Sequence, residues 1–388
     1  MRAFLIAGEP SGDNLGGALM AGLKALTSPQ GVAFSGIGGP AMQAQGLHSL
    51  FPMEELSVMG IAEIAPKYFH LKRRIAEAAR AVIACRPDVL ITIDSPDFCL
   101  RVARLVRASC ECRIVHYVAP TVWAWRPGRA ARMAGLVDQV LALFPFEPPY
   151  MEAAGIRCDF VGHPVVTEPR ASDAEAAAFR AGHGIAADVP VLLALPGSRR
   201  AEVVRLSEVF GAAVERFVSH HPGARVVVPA AAPVASVVRD RASAWAGGPV
   251  ILDPSAEGAA AVKRAAFRAA DVALAASGTV SLELSAAGTP MVIAYDVNWL
   301  SRQIAGRMLR IDTVTLVNLV ADSRAVPEFL GAECRPAPIA GALAEALRAP
   351  EAQRAAMAET MRRLGQGGED PGLRAARAVL AGLGKTSA

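Results

Sequence analysis

Val191-Leu192-Leu193-Ala194-Leu195-Pro196-Gly197-Ser198-Arg199-Arg200 reads as a strand that is apolar throughout, halted by Pro-Gly and followed by small and cationic residues. An unbroken apolar strand belongs in a parallel sheet covered on both faces, and ligands of such sheets gather beyond the carboxyl ends of the strands. Arg199, with the small-residue backbone of Gly197 and Ser198, therefore stands where an anion would bind. Further along, Ala275-Ala276-Ser277-Gly278-Thr279 opens a helix that carries Glu283. The free N–H groups and positive dipole end of that helix suit a pyrophosphate. A carboxylate early on the same helix is placed to accept from sugar hydroxyls. The layout is that of a nucleotide-sugar site, and glycosyl transfer is the leading reading.

Working outward, the same alternation of apolar runs and Ala/Arg/Glu-rich helical stretches fills the chain. The runs are 4–7, 33–36, 89–93, 114–118, 139–143 and 160–161, then 191–195, 225–228, 250–252, 272–275 and 291–295. They form two blocks separated by a Pro-bearing segment from Gly162-His163-Pro164 to Ser172. The expected fold is α/β: two doubly wound, Rossmann-like domains with parallel sheets. Residues 1–168 are assigned to the first domain and 169–345 to the second. Residues 346–388 are read as C-terminal helices packing back towards the first.

Composition narrows the classes. A chain of 388 residues is long for one ordinary domain. A net charge of +4, with four Tyr and four Trp, does not point to nucleic acid. The first apolar run is too short for a signal-peptide core, and no run reaches the length of a spanning helix. The six cysteines, at 85, 99, 110, 112, 158 and 334, form no C-x-x-C pair and read as reduced and structural, as expected of a cytosolic protein.

Five further segments carry candidate chemistry. Gly8-Glu9-Pro10-Ser11-Gly12-Asp13 follows the first strand, putting Ser11, Gly12 and Asp13 at a strand's carboxyl end; the plain alternative is an ordinary turn capping the next helix. Asp94-Ser95-Pro96-Asp97 does the same after the run at 89–93, with two carboxylates positioned for base chemistry or for capping. Gly36-Ile37-Gly38-Gly39-Pro40-Ala41 fits the loose dinucleotide fingerprint but follows the second strand rather than the first. The loop 116–126 holds Trp123, Trp125 and Arg126 and reads either as a binding wall or as a packed connection. Between Met59 and Val82, apolar residues recur at helical spacing beside Lys67, Lys72, Arg73, Arg74 and Arg80. Such a helix faces a core or lies on an anionic membrane.

In order along the chain, GEPSGD (8–13), GIGGPAM (36–42), ELSVMGIAEI (55–64), IDSPDF (93–98), YVAPTVWAWR (117–126), GHP (162–164), LPGSR (195–199), SGTVSLE (277–283), GTPMVIAY (288–295) and VPEFLG (326–331) resemble the lipid-A-disaccharide synthases, glycosyltransferases of bacterial outer-membrane lipid biosynthesis. The resemblance implies a GT-B fold with the two sheets facing a central cleft. It also implies an inverting transferase without metal or other cofactor. The reaction would join UDP-2,3-diacylglucosamine to 2,3-diacylglucosamine 1-phosphate (lipid X), releasing UDP. Carried over, Asp97 is the base, with Asp94 or Asp13 orienting it or the acceptor. Gly197, Ser198, Arg199, Ser277, Gly278, Thr279, Glu283 and Asn318 surround the UDP-sugar. Ser11, Gly12, Trp123 and Arg126 are assigned to the acceptor, and Val58, Met59, Ile61, Phe69, Lys72 and Arg73 to acyl chains and membrane. The implied location is cytoplasmic, peripheral to the cytoplasmic face of the inner membrane, and a homodimer is compatible with it. The chain departs from the family pattern at Cys99, Ala119, Thr121 and Gly331.

Two other readings stay open on the residues alone. One is a different UDP-sugar enzyme of the same fold, a soluble transferase or an epimerase. The other is an NAD(P)-dependent oxidoreductase built on 36–41.

Overall fold

The structure, a computed structural model, describes residues 1–56, 61–124, 128–296 and 311–384, the side chains of 61–68 excepted. It divides into two compact units, Met1–Thr167 with Gly367–Ala388, and Glu168–Gln366.

The first unit runs β1 (Arg2–Ala7), α1 (Pro10–Thr27), β2 (Ala33–Ile37), α2 (Pro40–Ala44), α3 (Ile61–Cys85), β3 (Val89–Ile93), α4 (Pro96–Arg107), β4 (Arg113–Tyr117), α5 (Gly128–Met133), β5 (Gln139–Ala142), α6 (Pro148–Glu152) and β6 (Arg157–Phe160). Its strands pair in parallel in the order β2-β1-β3-β4-β5-β6. The chain leaves β1 in one direction and returns on its other side as β3, so the topological switch lies between them. Gly36 is indispensable to this register: with φ at +147°, a Cβ there would fall 1.8 Å from the Leu5 carbonyl oxygen of β1.

The second unit runs α7 (Asp173–Gly182), β7 (Val191–Leu195), α8 (Arg200–His220), β8 (Arg225–Pro229), α9 (Ala235–Ala242), β9 (Val250–Leu252), α10 (Ala259–Ala269), β10 (Val272–Ala276), α11 (Val280–Ala287), β11 (Met291–Tyr295), α12 (Leu316–Ala321), β12 (Glu328–Leu330), α13 (Pro336–Arg348) and α14 (Glu351–Arg363). Its parallel order is β12-β11-β10-β7-β8-β9, with the switch between β7 and β10. β1, β3, β7 and β10 sit near the middle of their sheets and are almost wholly buried, which is why they read as continuous apolar runs.

The change of unit at the C-terminus comes after Gln366, not at residue 346. α14 stays with the second unit because Ala356 and Met357 lie in its core and Gln353 accepts from the Met291 amide of β11. α15 (Pro371–Gly382) returns to the first unit and crosses α1 closely. A Cβ on Gly22 would meet the Gly372 carbonyl oxygen at 2.7 Å, so the crossing depends on paired glycines. Four of the cysteines are buried, Cys85 and Cys110 are half-buried, and all six are free thiols.

Candidate functional site

At the switch point of the second unit the carboxyl ends of β7 and β10 open a cavity of about 560 Å³. It brings together Gly197, Ser198, Arg199, Ser277, Gly278, Thr279 and Glu283, all proposed from sequence. Glu202, one turn into α8, organises the first loop. Its carboxylate accepts from the Ser198 and Arg199 amides at 3.3 Å, from Arg199 Nη1 at 3.0 Å and from the Tyr295 hydroxyl at 3.1 Å. Gly197 turns the chain with φ at +124°, and a Cβ there would fall 2.8 Å from the Glu202 Cβ. On the opposite wall Lys263 Nζ donates to Glu283 Oε2 at 2.5 Å, which fixes that carboxylate. Burial, then the Glu283 charge, raises the Glu168 pKa, while Lys263 lowers it. The cavity thus combines a free-edged guanidinium, a helix N-terminus and an oriented carboxylate.

Asn318 is not among the cavity's lining residues. It is 1% exposed, and its amide nitrogen donates to Thr313, the Val326 carbonyl and Glu328, while its oxygen accepts from the Val326 amide. With each of these groups satisfied internally, it holds the approach to β12 together.

In the first unit, β1 and β3 bring GEPSGD and IDSPDF side by side. A Cβ on Gly8 would fall 2.6 Å from Ser95 Oγ. Asp94 and Ser95 both adopt left-handed backbone, with φ of 52° and 43°, a costly pair for non-glycine residues. The Ser95 amide donates to Asp94 Oδ1 at 2.8 Å, and the Asp94 amide to the Tyr117 carbonyl at 2.9 Å. This tight turn starts α4 at Pro96 and puts Asp97 on its first turn, with its side chain 93% exposed and 3.9 Å from Arg129 Nη2. Ser11 is exposed and Gly12 buried within the first turn of α1, which begins at Pro10 rather than in the expected loop. A proline at the first helical position explains the early start.

Asp13 has a different role from the one expected. It is 3% exposed, and its oxygens accept from the amides of Gly39, Ala41 and Met42 at 2.8, 2.8 and 3.1 Å. It therefore anchors GIGGPAM to α1. The same contacts use the amides that a dinucleotide pyrophosphate would need, so residues 36–41 form a structural loop.

Trp123 is 8% exposed and packs within the loop after β4. Its Nε1 donates to Glu147 at 3.4 Å and its ring meets Phe146 edge-on at 5.1 Å. Glu147 also accepts from the Leu143 and Phe144 amides, and burial raises its pKa to about 7. His163 accepts from the Val165 amide through Nδ1 and packs on Phe144; burial lowers it to about 4. Together these residues brace the loop after β4, where Val118 holds a φ of +82°.

Val58 and Met59, Trp125 and Arg126, and the side chain of Ile61 lie outside the described residues. From residue 69 on, α3 is two-faced. Ile75, Ala78, Ala79 and Val82 enter the core, while Phe69 is 81% exposed and Lys72 and Arg73 are exposed. Arg74, a candidate for headgroup contact, instead bonds Glu55 at 2.7 Å and Glu77 at 2.8 Å. No helix among the described residues is long and apolar enough to cross a membrane.

The lipid-A-disaccharide synthetase family profile matches residues 3–378. The chain belongs to this family. It is 65% identical to the lipid-A-disaccharide synthase of Ruegeria pomeroyi, over 98% of this chain and 95% of that one. It is 48% identical to that of Rhodospirillum centenum, over 97% and 93%. Among solved structures it resembles UDP-GlcNAc 2-epimerase of Neisseria meningitidis (TM-score 0.62, 11% identity, 99% of each chain) and the calicheamicin glycosyltransferase CalG4 (TM-score 0.54, 16% identity, 99% and 98%). At such identities these likenesses show the fold alone, that of GT-B glycosyltransferases and epimerases. Of the residues lining the cavity, Glu202 and Lys263 were not among those expected from sequence. Glu202 had a signal, its capping-box distance from Arg199; Lys263 had none.

Proposed function

We propose that the chain condenses UDP-2,3-diacylglucosamine with lipid X to give the β-1,6-linked disaccharide 1-phosphate and UDP. The observation that carries this reading is the cavity at the β7–β10 switch, where Arg199, the Ser277–Thr279 turn and the Lys263–Glu283 pair converge. Arg199 and the α11 amides are suited to the diphosphate, and Glu283 to the ribose hydroxyls. The acceptor is assigned to the first unit.

Inversion is a single in-line displacement. The acceptor O6 bonds to the anomeric carbon as the bond to the UDP oxygen breaks, and the hydroxyl proton passes to Asp97. Charge gathering on the diphosphate is met by fixed donors. Ser11 and Gly12 are proposed to border the acceptor. Phe69, Lys72 and Arg73, with Val58, Met59 and Ile61, are proposed to meet acyl chains at the cytoplasmic face of the inner membrane.

The test is Asp97→Asn assayed with both lipid substrates. Turnover should fall by about a hundredfold or more while UDP affinity stays within about twofold. Near-normal turnover would remove Asp97 from the role of base.

A further inference from the structure

Between α4 and α5 the first unit holds a second cavity, of about 230 Å³, with Asp97 on its wall. Four guanidinium groups line it: Arg101 and Arg104 from α4, Arg129 and Arg132 from α5. Asp97 is the only carboxylate among its lining residues. Arg129 approaches Asp97 at 3.9 Å. Arg101 and Arg104 are exposed and have no ion pair or hydrogen bond from their side chains among the described residues, and Arg132 gives only a long bond to the Gly128 carbonyl. Many arginines elsewhere are paired at 2.5–3.1 Å, as Arg107 is with Asp138 and Arg180 with Asp271.

A solvated helix face would explain basic residues on α4 alone. It does not explain two helices turning their arginines onto one cavity that also has apolar walls from Leu100 and Met133. Guanidinium groups with no carboxylate partner, as at Arg101 and Arg104, repel their neighbours, and a phosphate relieves that repulsion through paired, planar hydrogen bonds.

The spacing identifies which phosphate. Asp97, Arg101 and Arg104 stand at i, i+4 and i+7, on one helix face. At the helical rise, Arg101 lies about 6 Å and Arg104 about 10 Å along the axis from Asp97. In lipid X the carbon bearing the phosphate, C1, and the carbon bearing the reacting hydroxymethyl, C5, flank the ring oxygen, so the phosphate and the 6-hydroxyl leave one edge of a single hexose at two separate points. We propose that this arginine cavity binds the 1-phosphate of the acceptor, so that the 6-hydroxyl is presented to Asp97. The inference rests on the functional reading above, and it assigns Arg101, Arg104, Arg129 and Arg132 to acceptor recognition.

The test uses the double variant Arg101→Gln/Arg104→Gln and two acceptors, 2,3-diacylglucosamine 1-phosphate and its phosphate-free counterpart. Thermal unfolding confirms that these exposed substitutions leave the fold intact, and the single variants serve if it does not. The KM for the phosphorylated acceptor should rise by at least about tenfold, the scale of a lost charged hydrogen bond. The KM for the donor, and the use of the phosphate-free acceptor, should not follow it. Arg101→Lys/Arg104→Lys should recover part of the loss. An unchanged KM, or an equal rise with both acceptors, overturns the assignment. A parallel arm measures binding to phosphatidylglycerol vesicles without substrate. Loss of vesicle binding with an unchanged acceptor KM would assign the arginines to lipid headgroups and overturn the proposal as well. Wild-type protein that forms no disaccharide would instead sink the functional reading itself, and it shows before any variant is compared.

Discussion

Replacing Glu147 with Gln should reverse part of the protein's pH dependence of stability. The carboxyl is 3% exposed, and burial outweighs its hydrogen bonds from Phe144, Trp123 and Leu143, raising it from 4.5 to about 7. Its folded pKa is thus above its unfolded one. The stability it lends is complete below about pH 4.5 and is lost as pH rises through about 7, because the unfolded chain ionises first. Between pH 5 and pH 8 this costs the wild type about 2–3 kcal/mol. Gln cannot ionise, and so escapes the loss. It still accepts from the two backbone amides, but its NH2 then faces Trp123 Nε1. Since that bond is long, at 3.4 Å, the mismatch should cost about 1 kcal/mol at either pH. Urea unfolding at pH 5 and pH 8 measures the difference. The variant should be less stable than wild type at pH 5 and equal or more stable at pH 8. A difference that is the same at both values would mean that Glu147 is already ionised at pH 5, and the burial account would be wrong.

Burial of His116, whose Nδ1 meets Thr92 Oγ1 at 2.8 Å, lowers it to about 4. Here the sign is opposite, with stability present above about pH 6.5 and lost towards pH 4, by about 2 kcal/mol at pH 5. Replacement of His116 by Asn should flatten that limb of the urea midpoint against pH. Arg199→Ala and Glu283→Ala should each weaken UDP binding by about tenfold or more, and unchanged affinity by calorimetry in both would move the nucleotide out of the β7–β10 cavity. Replacing Val58, Met59, Ile61 and Phe69 with Ser should release the protein from anionic vesicles. Unchanged partitioning with a lowered melting temperature would make the start of α3 a packing element instead.

Much of the fold was legible because the strands are buried on both faces. Val89–Ile93, Val191–Leu195 and Met291–Tyr295 stand in the structure where their apolar runs stand in the sequence. β12 was not legible as a strand. Glu328-Phe329-Leu330 is short and half-buried, and Glu328 serves Thr313, Val314 and Thr315 rather than solvent. The apolar run at 114–118 includes Val118, yet its positive φ ends β4 at Tyr117. The donor cavity was legible because its residues come from two loops whose chemistry is local: glycine, serine and arginine after one strand, a helix start after another. Asp13, Trp123 and Asn318 are each engaged within the protein for a common reason. A polar or aromatic residue in a motif signals that something binds it, and in these three the partner is the protein's own backbone or a buried carboxylate.

Both units place candidate chemistry by the same rule. Where successive crossovers diverge on either side of one strand, the loops at its carboxyl end part and leave room that no side chain fills. In the second unit that room is the cavity beyond β7 and β10; in the first, the turn after β3 packs directly against the loop after β1. The units differ in how they use it. The second keeps Arg199 and Glu283 oriented through Glu202 and Lys263, an arrangement suited to a polar, fixed ligand. The first spends its buried polar groups on bracing loops, with Asp13 holding residues 39–42 and Glu147 holding Trp123. It leaves Asp97, Arg101 and Arg104 exposed. That division suits the acceptor proposed above: a sugar phosphate needs charged, accessible groups on a rigid edge, and acyl chains can remain outside the protein core.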